Sequence, residues 1–333
     1  MSQTIKLALL DDYQKVAMRL GDWDRLKKRG IEITVFHEPF ASVDDAAQKL
    51  APFQILGLLR ERTAFPRALI EKLPSLKFMV LTGARAASLD DKAATERGIP
   101  ISTTPGGGSN APTAELCWAL LMMCARDLAK GERLMRSGGW HDGIRQMNVL
   151  EGKRLGVIGL GKLGSRVAGY AKAFGMDVVA WSQNLTAEKA AAGGAKLVSK
   201  DELLATSDFM SIHLVLSDRT RGLIGAADFA KMKKTATFIN TSRGPIVDEA
   251  ALIAALKNGT IAHAGLDVYD KEPVPAGHPL TKLDNITLVP HLGYVVEESY
   301  RFFYDGTIKD IEAWLDGKPI NVLNPEALNK KPA

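Results

Sequence analysis

The chain has 333 residues, of which 46% are hydrophobic and 24% are charged, a length and composition typical of a globular protein of roughly two domains and not of a disordered chain. Its 43 basic and 38 acidic residues give a formal net charge of +5, but the two signs are interspersed without a basic block, so the charge argues against nucleic acid and favours a small anionic partner. The longest apolar run, LCWALLMMCA at 116–125, is about half the length of a bilayer span, which argues against a membrane protein.

Short apolar runs with β-forming residues alternate with helical patterns along most of the chain. The first hundred residues contain IKLALL, ITVFH, QILGLL and FMVLTG, and later segments contain RLGVIGL, DVVAW, DFMSIHLVL, TATFINT, AGLDV and ITLVPH. This alternation predicts parallel sheets covered by helices, and continuous apolar runs are typical of strands buried on both faces. The predicted fold class is therefore α/β, with two doubly wound parallel-sheet domains.

The stretch TTPGGGSNAPT, residues 103–113, interrupts the alternation with three consecutive glycines and two prolines, and predicts a hinge between the domains. The apolar run at 116–125 then predicts a buried helix. Its cysteines, Cys117 and Cys124, would lie about 10 Å apart on a helix, too far for a disulfide. Unpaired thiols and an N-terminus without the apolar core of a signal peptide predict a cytoplasmic protein. From about Glu297 the sequence predicts a helix and a tail rich in proline and asparagine, which we expect to pack on the first domain.

The segment RLGVIGLGKLGSRVAG contains a G-x-G-x-x-G pattern, formed by Gly159, Gly161 and Gly164, between an apolar strand and an amphipathic helix. In this context the first glycine allows a tight turn, the second allows the backbone to approach a pyrophosphate, and the third allows the helix to pack on the strand. The helix opens at Lys162 and Leu163, where free N–H groups and partial positive charge favour phosphates. Although glycine-rich turns without a ligand are common, the flanking strand and helix predict a dinucleotide site.

The second strand of such a unit usually ends with an acidic residue that binds the adenine ribose, but VVAWSQN has Ser182 at that point. A carboxylate would repel the 2′-phosphate of NADP, whereas a serine does not. Ser182, Gln183 and Asn184 include no arginine, so they would bind that phosphate as neutral donors. Lys162 or Arg166 would assist them. The predicted cofactor is therefore NAD or NADP, with NADP tolerated.

Three charged or titratable residues follow at predicted strand ends: Arg243 in INTSRGPIVDE, Glu272 in AGLDVYDKEP and His291 in LVPHLGY. The carboxyl ends of strands in a doubly wound sheet face the ligand. A guanidinium binds a carboxylate and polarises the adjacent carbonyl, while a histidine paired with a glutamate supplies a proton. Each residue alone has a plainer interpretation as an ion pair, a loop charge or a core histidine. Their joint placement at successive strand ends favours hydride transfer to a carbonyl.

The segments GVIGLGKLG, SIHLVLSDRTRGLIG, FINTSRGPIVDEAAL, AGLDVYDKEP and PHLGY together resemble the D-isomer-specific 2-hydroxyacid dehydrogenase family, which includes glyoxylate/hydroxypyruvate reductases, D-lactate dehydrogenases and D-3-phosphoglycerate dehydrogenases. The resemblance runs from about residue 54 to 300. It implies NAD(P)-dependent reduction of a small anionic 2-oxo acid to the D-2-hydroxy acid, and the reverse reaction. It also implies that Arg243 binds the substrate carboxylate, that His291 is the acid/base, and that Glu272 pairs with His291 and raises its pKa.

The resemblance further assigns contacts with the cofactor. Asp267 looks like the family residue that contacts the nicotinamide carboxamide, and Thr113 matches a cofactor-contacting position beside the hinge. His213 and Thr241, which follow predicted strands, are also expected to contact the cofactor. His213 and His263 are expected to have structural or backbone roles.

The fold implied by the resemblance is a Rossmann nucleotide-binding domain, residues 104–295, inserted in a flavodoxin-like substrate domain formed by residues 1–103 and 296–333. Relatives are usually twofold dimers built through their nucleotide domains. The helix at 113–128 with its loop to Trp140 is therefore the expected contact of a homodimer.

Two first-domain segments, LLRERT and LTGARAASLD, depart from the commoner family pattern. Arg60 and Arg85 are expected either to bind a second anionic group of the substrate or to form surface ion pairs, and the sequence leaves both open. Backbone N–H groups around Gly83 and Ala84 would hold the substrate carboxylate, and Tyr294 would narrow the pocket. The histidines and cysteines show no metal-ligand spacing, so we expect no metal site.

Two alternative functions remain open on the same fold. A nucleotide-sensing protein, similar to transcriptional corepressors that keep the NAD site, would also retain Arg243, Glu272 and His291. We expect an enzyme instead, because no disordered interaction tail or basic block is evident. Phosphite oxidation is the second alternative, whereas formate oxidation is disfavoured because formate dehydrogenases carry glutamine where Glu272 stands.

Overall fold

The computed structural model describes residues 4–104 and 109–330. The chain divides into two compact units, the first formed by Met1–Ser109 with Val295–Ala333 and the second by Asn110–Tyr294. Each unit contains one sheet whose named strands all pair in parallel. The predicted α/β class with two doubly wound parallel-sheet domains is confirmed. The resemblance implies divisions after residues 103 and 295, and residues 105–108 of the predicted hinge lie outside the described residues.

In chain order, the strands are β1 (Ile5–Leu9), β2 (Ile31–Val35), β3 (Ile55–Leu58), β4 (Phe78–Thr82), β5 (Ile101–Thr104), β6 (Arg154–Ile158), β7 (Asp177–Trp181), β8 (Lys196–Leu197), β9 (Phe209–Ile212), β10 (Thr237–Asn240), β11 (His263–Leu266) and β12 (Ile286–Leu288). The α-helices are α1 (Ala17–Leu20), α2 (Asp24–Lys27), α3 (Val43–Leu50), α4 (Arg67–Ile70), α5 (Asp91–Glu96), α6 (Ala111–Ala125), α7 (Leu128–Arg136), α8 (Lys162–Ala173), α9 (Ala187–Ala192), α10 (Lys200–Thr206), α11 (Ala226–Phe229), α12 (Glu249–Lys257) and α13 (Glu297–Leu315). Three 3-10 helices cover Gly244–Ile246, Pro279–Lys282 and Pro325–Asn329.

The first unit contains a five-stranded sheet in the order β2-β1-β3-β4-β5, the flavodoxin-like arrangement. Its central strands β3 and β4 are buried along their whole length, as continuous apolar runs predict. The C-terminal helix α13 packs against β4 and β5, and Trp314 stacks on Phe78 with ring centroids 5.1 Å apart. The C-terminal segment therefore completes the core of the first unit.

Strand β5 is buried although three of its four residues are polar. The Ser102 hydroxyl donates to Ile320 O at 2.6 Å, and the Thr103 hydroxyl donates to Asn321 O at 3.3 Å. The Thr104 hydroxyl accepts the Gly83 N–H at 3.1 Å. Because partners distant in sequence satisfy these hydroxyls, a polar segment can lie in the sheet, and the apolar-run criterion does not detect it.

The second unit contains a seven-stranded sheet in the order β12-β11-β10-β9-β6-β7-β8, which is the strand order of a dinucleotide-binding fold. The pairing register aligns the last residues of six strands in one row across the sheet, in the order Trp181, Ile158, Ile212, Asn240, Leu266 and Leu288. The residues that follow these strands therefore emerge side by side along the carboxyl edge of the sheet.

Helix α6 packs on this sheet with a buried face. Its Cys117 and Cys124 are buried free thiols, which confirms that they do not pair. A Cβ added at Gly265 in β11 would lie 2.8 Å from Cys124 Sγ, so this glycine allows the close approach of α6. The helix ends at Ala125 because Asp127 adopts a left-handed conformation with φ of 50°. Among the described residues, no helix is long and apolar enough to cross a membrane.

Candidate active site

The glycine turn between β6 and α8 has a distinct geometric reason for each glycine. Gly159 has φ of +96°, and a Cβ there would lie 2.8 Å from His213 O. At Gly164 a Cβ would lie 2.2 Å from Gly159 O, so only glycine lets α8 pack this closely on the turn. Gly161 is different, because a Cβ there would meet no described atom within 4 Å. Open space at Gly161, beside the first-turn N–H groups of Lys162 and Leu163, fits the pyrophosphate of a dinucleotide.

The Ser182 turn lies directly beside the glycine turn, since Gly159 N donates to Trp181 O at 2.9 Å. Ser182 O accepts the Leu185 N–H at 3.2 Å, which closes the turn. Ser182 is half-buried, while Gln183 and Asn184 are exposed. The side chains of this turn thus offer hydroxyl and amide groups without a negative charge.

His213 and Thr241 follow β9 and β10 in the aligned row at the carboxyl edge. His213 Nε2 lies 2.9 Å from Ser211 Oγ, and burial lowers the pKa of His213 to about 4, so the ring is neutral at pH 7. The Thr241 hydroxyl is buried and has no hydrogen-bond partner among the described atoms, apart from the weakly interacting Cys117 thiol beside it. A buried hydroxyl in this position fits a polar group of a bound cofactor.

Glu272 and His291 form a close pair at the same edge. Glu272 Oε2 lies 2.6 Å from His291 Nδ1, and the two side chains are only 25% and 17% exposed. Glu272 Oε1 accepts the Tyr269 N–H at 3.0 Å, which fixes the carboxylate on its own loop. His291 has φ of 53°, a left-handed conformation that is rare for residues other than glycine. Because a carboxylate accepts hydrogen bonds, its contact with Nδ1 places a proton on this nitrogen and orients the imidazole.

Three side chains, one from α6 and two from the segment after β11, hold the backbone of the loop that carries His291. Asp267, which is buried, accepts the Leu292 N–H at 2.5 Å and the Gly293 N–H at 3.1 Å. The Thr113 hydroxyl donates to Gly293 O at 2.8 Å. The Tyr269 hydroxyl donates to Val289 O at 2.8 Å, on the other side of His291. Thr113 and Asp267, the two residues expected to contact the cofactor, thus also fix the loop of the candidate acid/base.

Arg243 lies three residues beyond β10, on a turn shaped by its neighbours. Asn240 Nδ2 donates to Arg243 O at 3.0 Å, and Arg243 Nη1 donates to Ser242 O at 2.7 Å. A Cβ added at Gly244 would lie 2.1 Å from the carbonyl carbon of Tyr269. Glycine therefore lets the Arg243 segment pack directly on the segment that carries Glu272.

Tyr294 also lies beside the candidate acid/base, with ring centroids of Tyr294 and His291 6.1 Å apart at 73°. His263 is elsewhere, at the first residue of β11, and its Nε2 lies 3.2 Å from Thr287 Oγ1. Burial lowers the pKa of His263 to about 4. In the described part of the chain, no group of three or more His, Cys, Asp or Glu residues could hold a metal ion.

The first unit brings its predicted substrate residues together at the carboxyl ends of β3 and β4. Arg60 has φ of 57°, its N–H donates to Thr82 Oγ1 at 2.9 Å, and its guanidinium lies 5.9 Å from the ring centroid of Phe303. Gly83 has φ of +102°, and a Cβ there would lie 2.1 Å from Arg60 Nη1. The Arg60 side chain therefore extends over Gly83, while Ala84 and Arg85 are exposed.

Sequence patterns did not identify Tyr269, Asn240 or Gly244 as parts of the site. Tyr269 is a buried residue whose N–H and hydroxyl hold Glu272 and the His291 loop. The available signal is proximity in sequence, because Tyr269 lies within AGLDVYDKEP and Gly244 follows Arg243. That proximity does not indicate which atoms touch.

Comparison with known proteins assigns the chain to a family. The sequence profile of the D-isomer specific 2-hydroxyacid dehydrogenase NAD binding domain matches residues 118–293. The glyoxylate reductase of Aeropyrum pernix is 38% identical over 268 residues, which cover 78% of this chain and 80% of that protein. The D-3-phosphoglycerate dehydrogenase of Archaeoglobus fulgidus is 37% identical over 302 residues, covering 90% of this chain but 56% of that protein.

A solved structure agrees over nearly the whole length. The crystal structure of a phosphoglycerate oxidoreductase from Vibrio cholerae o395 has a TM-score of 0.89 and 33% identity, and the match covers 94% of this chain and 99% of that chain. The two sheets, the glycine turn and the sequence matches lead to one assignment. This chain is an oxidoreductase that belongs to the D-isomer specific 2-hydroxyacid dehydrogenase family.

Proposed function

We propose that this chain reduces a small 2-oxo acid to the D-2-hydroxy acid, and catalyses the reverse reaction, with a nicotinamide cofactor. The observation that carries the proposal is the 2.6 Å pair of His291 and Glu272, placed at the same sheet edge as the glycine turn. Reduction adds a hydride to the carbonyl carbon and a proton to the carbonyl oxygen. The bound nicotinamide supplies the hydride, so the protein must bind the substrate and supply the proton.

His291 is the proposed proton donor. Glu272 Oε2 engages Nδ1, so the opposite ring nitrogen, Nε2, is the one that would deliver the proton to the carbonyl oxygen. A charged acceptor at Nδ1 stabilises the protonated imidazole, and in the reverse direction the same charge makes the neutral imidazole a stronger base for the substrate hydroxyl proton. The support for these roles is the orientation of the ring by Glu272 and by the loop contacts of Asp267 and Thr113.

Arg243 is the proposed partner of the substrate carboxylate. A guanidinium forms two parallel hydrogen bonds with a carboxylate, which orients the neighbouring carbonyl for attack. The packing of Gly244 on Tyr269 supports this role, because it keeps the Arg243 segment beside the segment of Glu272. Arg243→Ala should abolish productive substrate binding. A fall in thermal stability alone would instead favour a structural ion pair.

The proposed cofactor is NAD or NADP. The glycine turn would bind the pyrophosphate, and the row of His213, Thr241 and Asp267 would face the nicotinamide half. The neutral turn of Ser182, Gln183 and Asn184 tolerates the 2′-phosphate of NADP.

The substrate is proposed to be a small anionic 2-oxo acid, in line with the name glyoxylate reductase of one relative. On this proposal the second unit is the nucleotide-binding domain and the first unit is the substrate domain. The proposed substrate contacts are Arg60, Gly83, Ala84 and Tyr294. The shared position of Arg60 and Gly83 supports this assignment.

Initial rates test the proposal directly. Glyoxylate and hydroxypyruvate are each supplied with NADH and with NADPH, and the loss of reduced-nicotinamide absorbance is followed. We expect turnover with at least one pair. Clear preference for NADPH would show that the Ser182 turn binds the 2′-phosphate. Tight cofactor binding without turnover on any small 2-oxo acid would reject the enzyme and favour a nucleotide-sensing protein.

We also propose that the chain forms a homodimer through α7 and the loop that follows it. α7 has no buried residue within this chain, and exposed apolar side chains border a groove of about 450 Å³. These side chains are Leu128, Met135, Trp140 and Met147. The sequence expectation placed the contact on the helix from 113 to 128 with its loop to Trp140. The helix is interrupted at Asp127, and the exposed apolar side chains that border the groove lie after this interruption. A monomer by light scattering would reject the dimer.

The cytoplasm is the proposed location. Both cysteines are free thiols, which suits a reducing compartment.

A further inference from the structure

A second carboxylate–histidine pair lies outside the groups described above. Glu249 is the first residue of α12, and its Oε1 lies 3.2 Å from His278 Nε2. The two side chains are 19% and 20% exposed, respectively, so the pair is largely shielded from water. Glu249 Oε2 accepts the Asp270 N–H at 3.5 Å, a long hydrogen bond. One carboxylate therefore contacts both ends of the segment 270–278.

The segment 270–278 carries Glu272, which holds His291. It contains no helix or strand, and its Val274 packs against the hydrophobic core of this unit. Glu272 itself accepts the Tyr269 N–H, and the course of the backbone around it also depends on how the two ends of the segment are held. Glu249 holds those ends and is only six residues beyond Arg243, on the segment that packs on Tyr269 at Gly244.

His278 has a defined tautomer in this arrangement. Its Nδ1 accepts the Leu280 N–H at 3.4 Å, so the ring proton lies on Nε2, which faces Glu249 Oε1 at 3.2 Å. Leu280 is fully buried, which anchors this end of the segment in the core. The histidine thus connects the core to the carboxylate.

The surrounding charges show why the contact between His278 and Glu249 matters. Burial raises the pKa of Asp270, and the nearby Glu249 and Asp248 carboxylates raise it further, while Arg221 and His278 act in the opposite direction. Several acidic groups are therefore crowded at this point. Without the His278 ring 3.2 Å from Glu249, repulsion between Glu249 and Asp270 would favour separation of the two segments.

We propose that Glu249 and His278 are positioning residues for the reaction, holding the segment 270–278 so that Glu272 keeps His291 oriented. Both residues act through Glu272, without a contact to the reacting atoms. The inference rests on the proposed function, because it concerns the rate of that reaction. Glu249 and His278 would thus help to position the Glu272–His291 pair.

Three variants and one control test the proposal. Glu249→Ala and His278→Ala remove the contact, while Glu249→Gln keeps the side-chain shape beside His278 and an oxygen that can accept the Asp270 N–H. Asp201→Asn is the control. It removes an exposed ion pair, Lys231 Nζ to Asp201 Oδ1 at 2.7 Å, in the same unit but away from the segment 270–278. The measurements are kcat and KM with the 2-oxo acid, the cofactor Kd from fluorescence, and amide hydrogen exchange across residues 270–278.

The alanine variants should lower kcat about tenfold, since small misplacements of catalytic groups are costly, with the cofactor Kd unchanged. Glu249→Gln should recover kcat to within about threefold of the unaltered protein, and the control should match it. Exchange in 270–278 should be faster in the alanine variants only. Unchanged kcat in the alanine variants would overturn the proposal, as would a parallel loss of kcat and cofactor affinity without rescue by glutamine, which indicates general unfolding.

The proposed function and this inference fail differently. If the unaltered protein shows no turnover, the proposed function fails and the positioning role in that reaction fails with it. Exchange then still reports whether Glu249 and His278 hold the segment. If the unaltered protein turns over and the alanine variants are as fast, only the positioning role is wrong.

Discussion

Glu272→Gln is the substitution that most sharply separates a positional from an electrostatic role of Glu272. Glutamine has nearly the same shape, and its amide oxygen can still accept the Tyr269 N–H that Glu272 Oε1 accepts at 3.0 Å. The amide nitrogen would then face His291 Nδ1, where the carboxylate oxygen lies at 2.6 Å. A protonated imidazole would present a donor to another donor, so the substitution disfavours the proton-donating form of His291.

The magnitude follows from the contact that is lost. A hydrogen bond to a charged group contributes about 2 kcal/mol when it is shielded as this one is, which corresponds to roughly 30-fold in rate. Loss of an adjacent opposite charge should also lower the pH above which the reduction rate falls. The sign follows because reduction consumes a proton from His291, and the variant loses that proton at lower pH.

The assay is kcat/KM for the 2-oxo acid between about pH 5 and 10, at saturating reduced cofactor, for the unaltered protein and Glu272→Gln. The melting temperature is the control, and it should change little because the Tyr269 contact is kept. Superimposable pH profiles would refute the reasoning, since they would show that the charge of Glu272 does not act on His291.

Two further predictions concern folding and the cofactor. Gly161→Ala should fold normally and bind the cofactor at least tenfold more weakly by fluorescence titration, because its Cβ would meet no described protein atom and would occupy the space proposed for the pyrophosphate. Gly164→Ala should instead lower the melting temperature, because its Cβ would lie 2.2 Å from Gly159 O; equal melting temperatures for the two variants would contradict this difference. Burial raises the pKa of Asp310 to about 6, so the folded state retains a proton that the unfolded state loses. The stability of the folded state with Asp310 protonated is fully present below about pH 4 and is lost as pH rises through 6. Asp310→Asn can still accept the Asn321 amide hydrogen bond, so above pH 6 it should be more stable than the unaltered protein by up to about 3 kcal/mol. The measurement is urea unfolding, and the difference should vanish below about pH 4. A gain in stability that is independent of pH would contradict the assignment.

Much of the nucleotide-binding fold can be predicted from the sequence because its strands are apolar on both faces. The glycine pattern, the strand ends and the family resemblance place Gly159, His213, Thr241 and Asp267 as separate positions. The register of the sheet then brings them to one edge. Parallel pairing alone explains this, since the carboxyl ends of parallel strands lie together.

Strand β5 shows where the apolar-run criterion fails. Its sequence, ISTT, looks like the beginning of the hinge, and the hydroxyl partners that make burial possible lie about 218 residues further along the chain. No local pattern carries that information. The short strand β8 (Lys196–Leu197) is also not detected, because it has two residues, one of them exposed, and so shows no apolar run.

The hydrogen-bond pattern around His291 is likewise beyond sequence reasoning. Resemblance suggests that Asp267 and Thr113 contact the cofactor, but it does not show that Asp267 accepts two backbone N–H groups of the His291 loop or that Thr113 donates to Gly293 O. These contacts depend on atomic positions set by the packing of α6, β11 and the loop after β12. The same holds for Glu249 and His278, which are 29 residues apart in sequence.

The central claim is that His291, held by Glu272, donates the proton in reduction of a 2-oxo acid. The most direct test compares the unaltered protein with His291→Ala in turnover of glyoxylate or hydroxypyruvate, and in cofactor affinity by fluorescence. We expect a fall in kcat of roughly 100-fold or more with the cofactor Kd nearly unchanged. An unchanged kcat would remove His291 from the mechanism and contradict the proposed proton transfer.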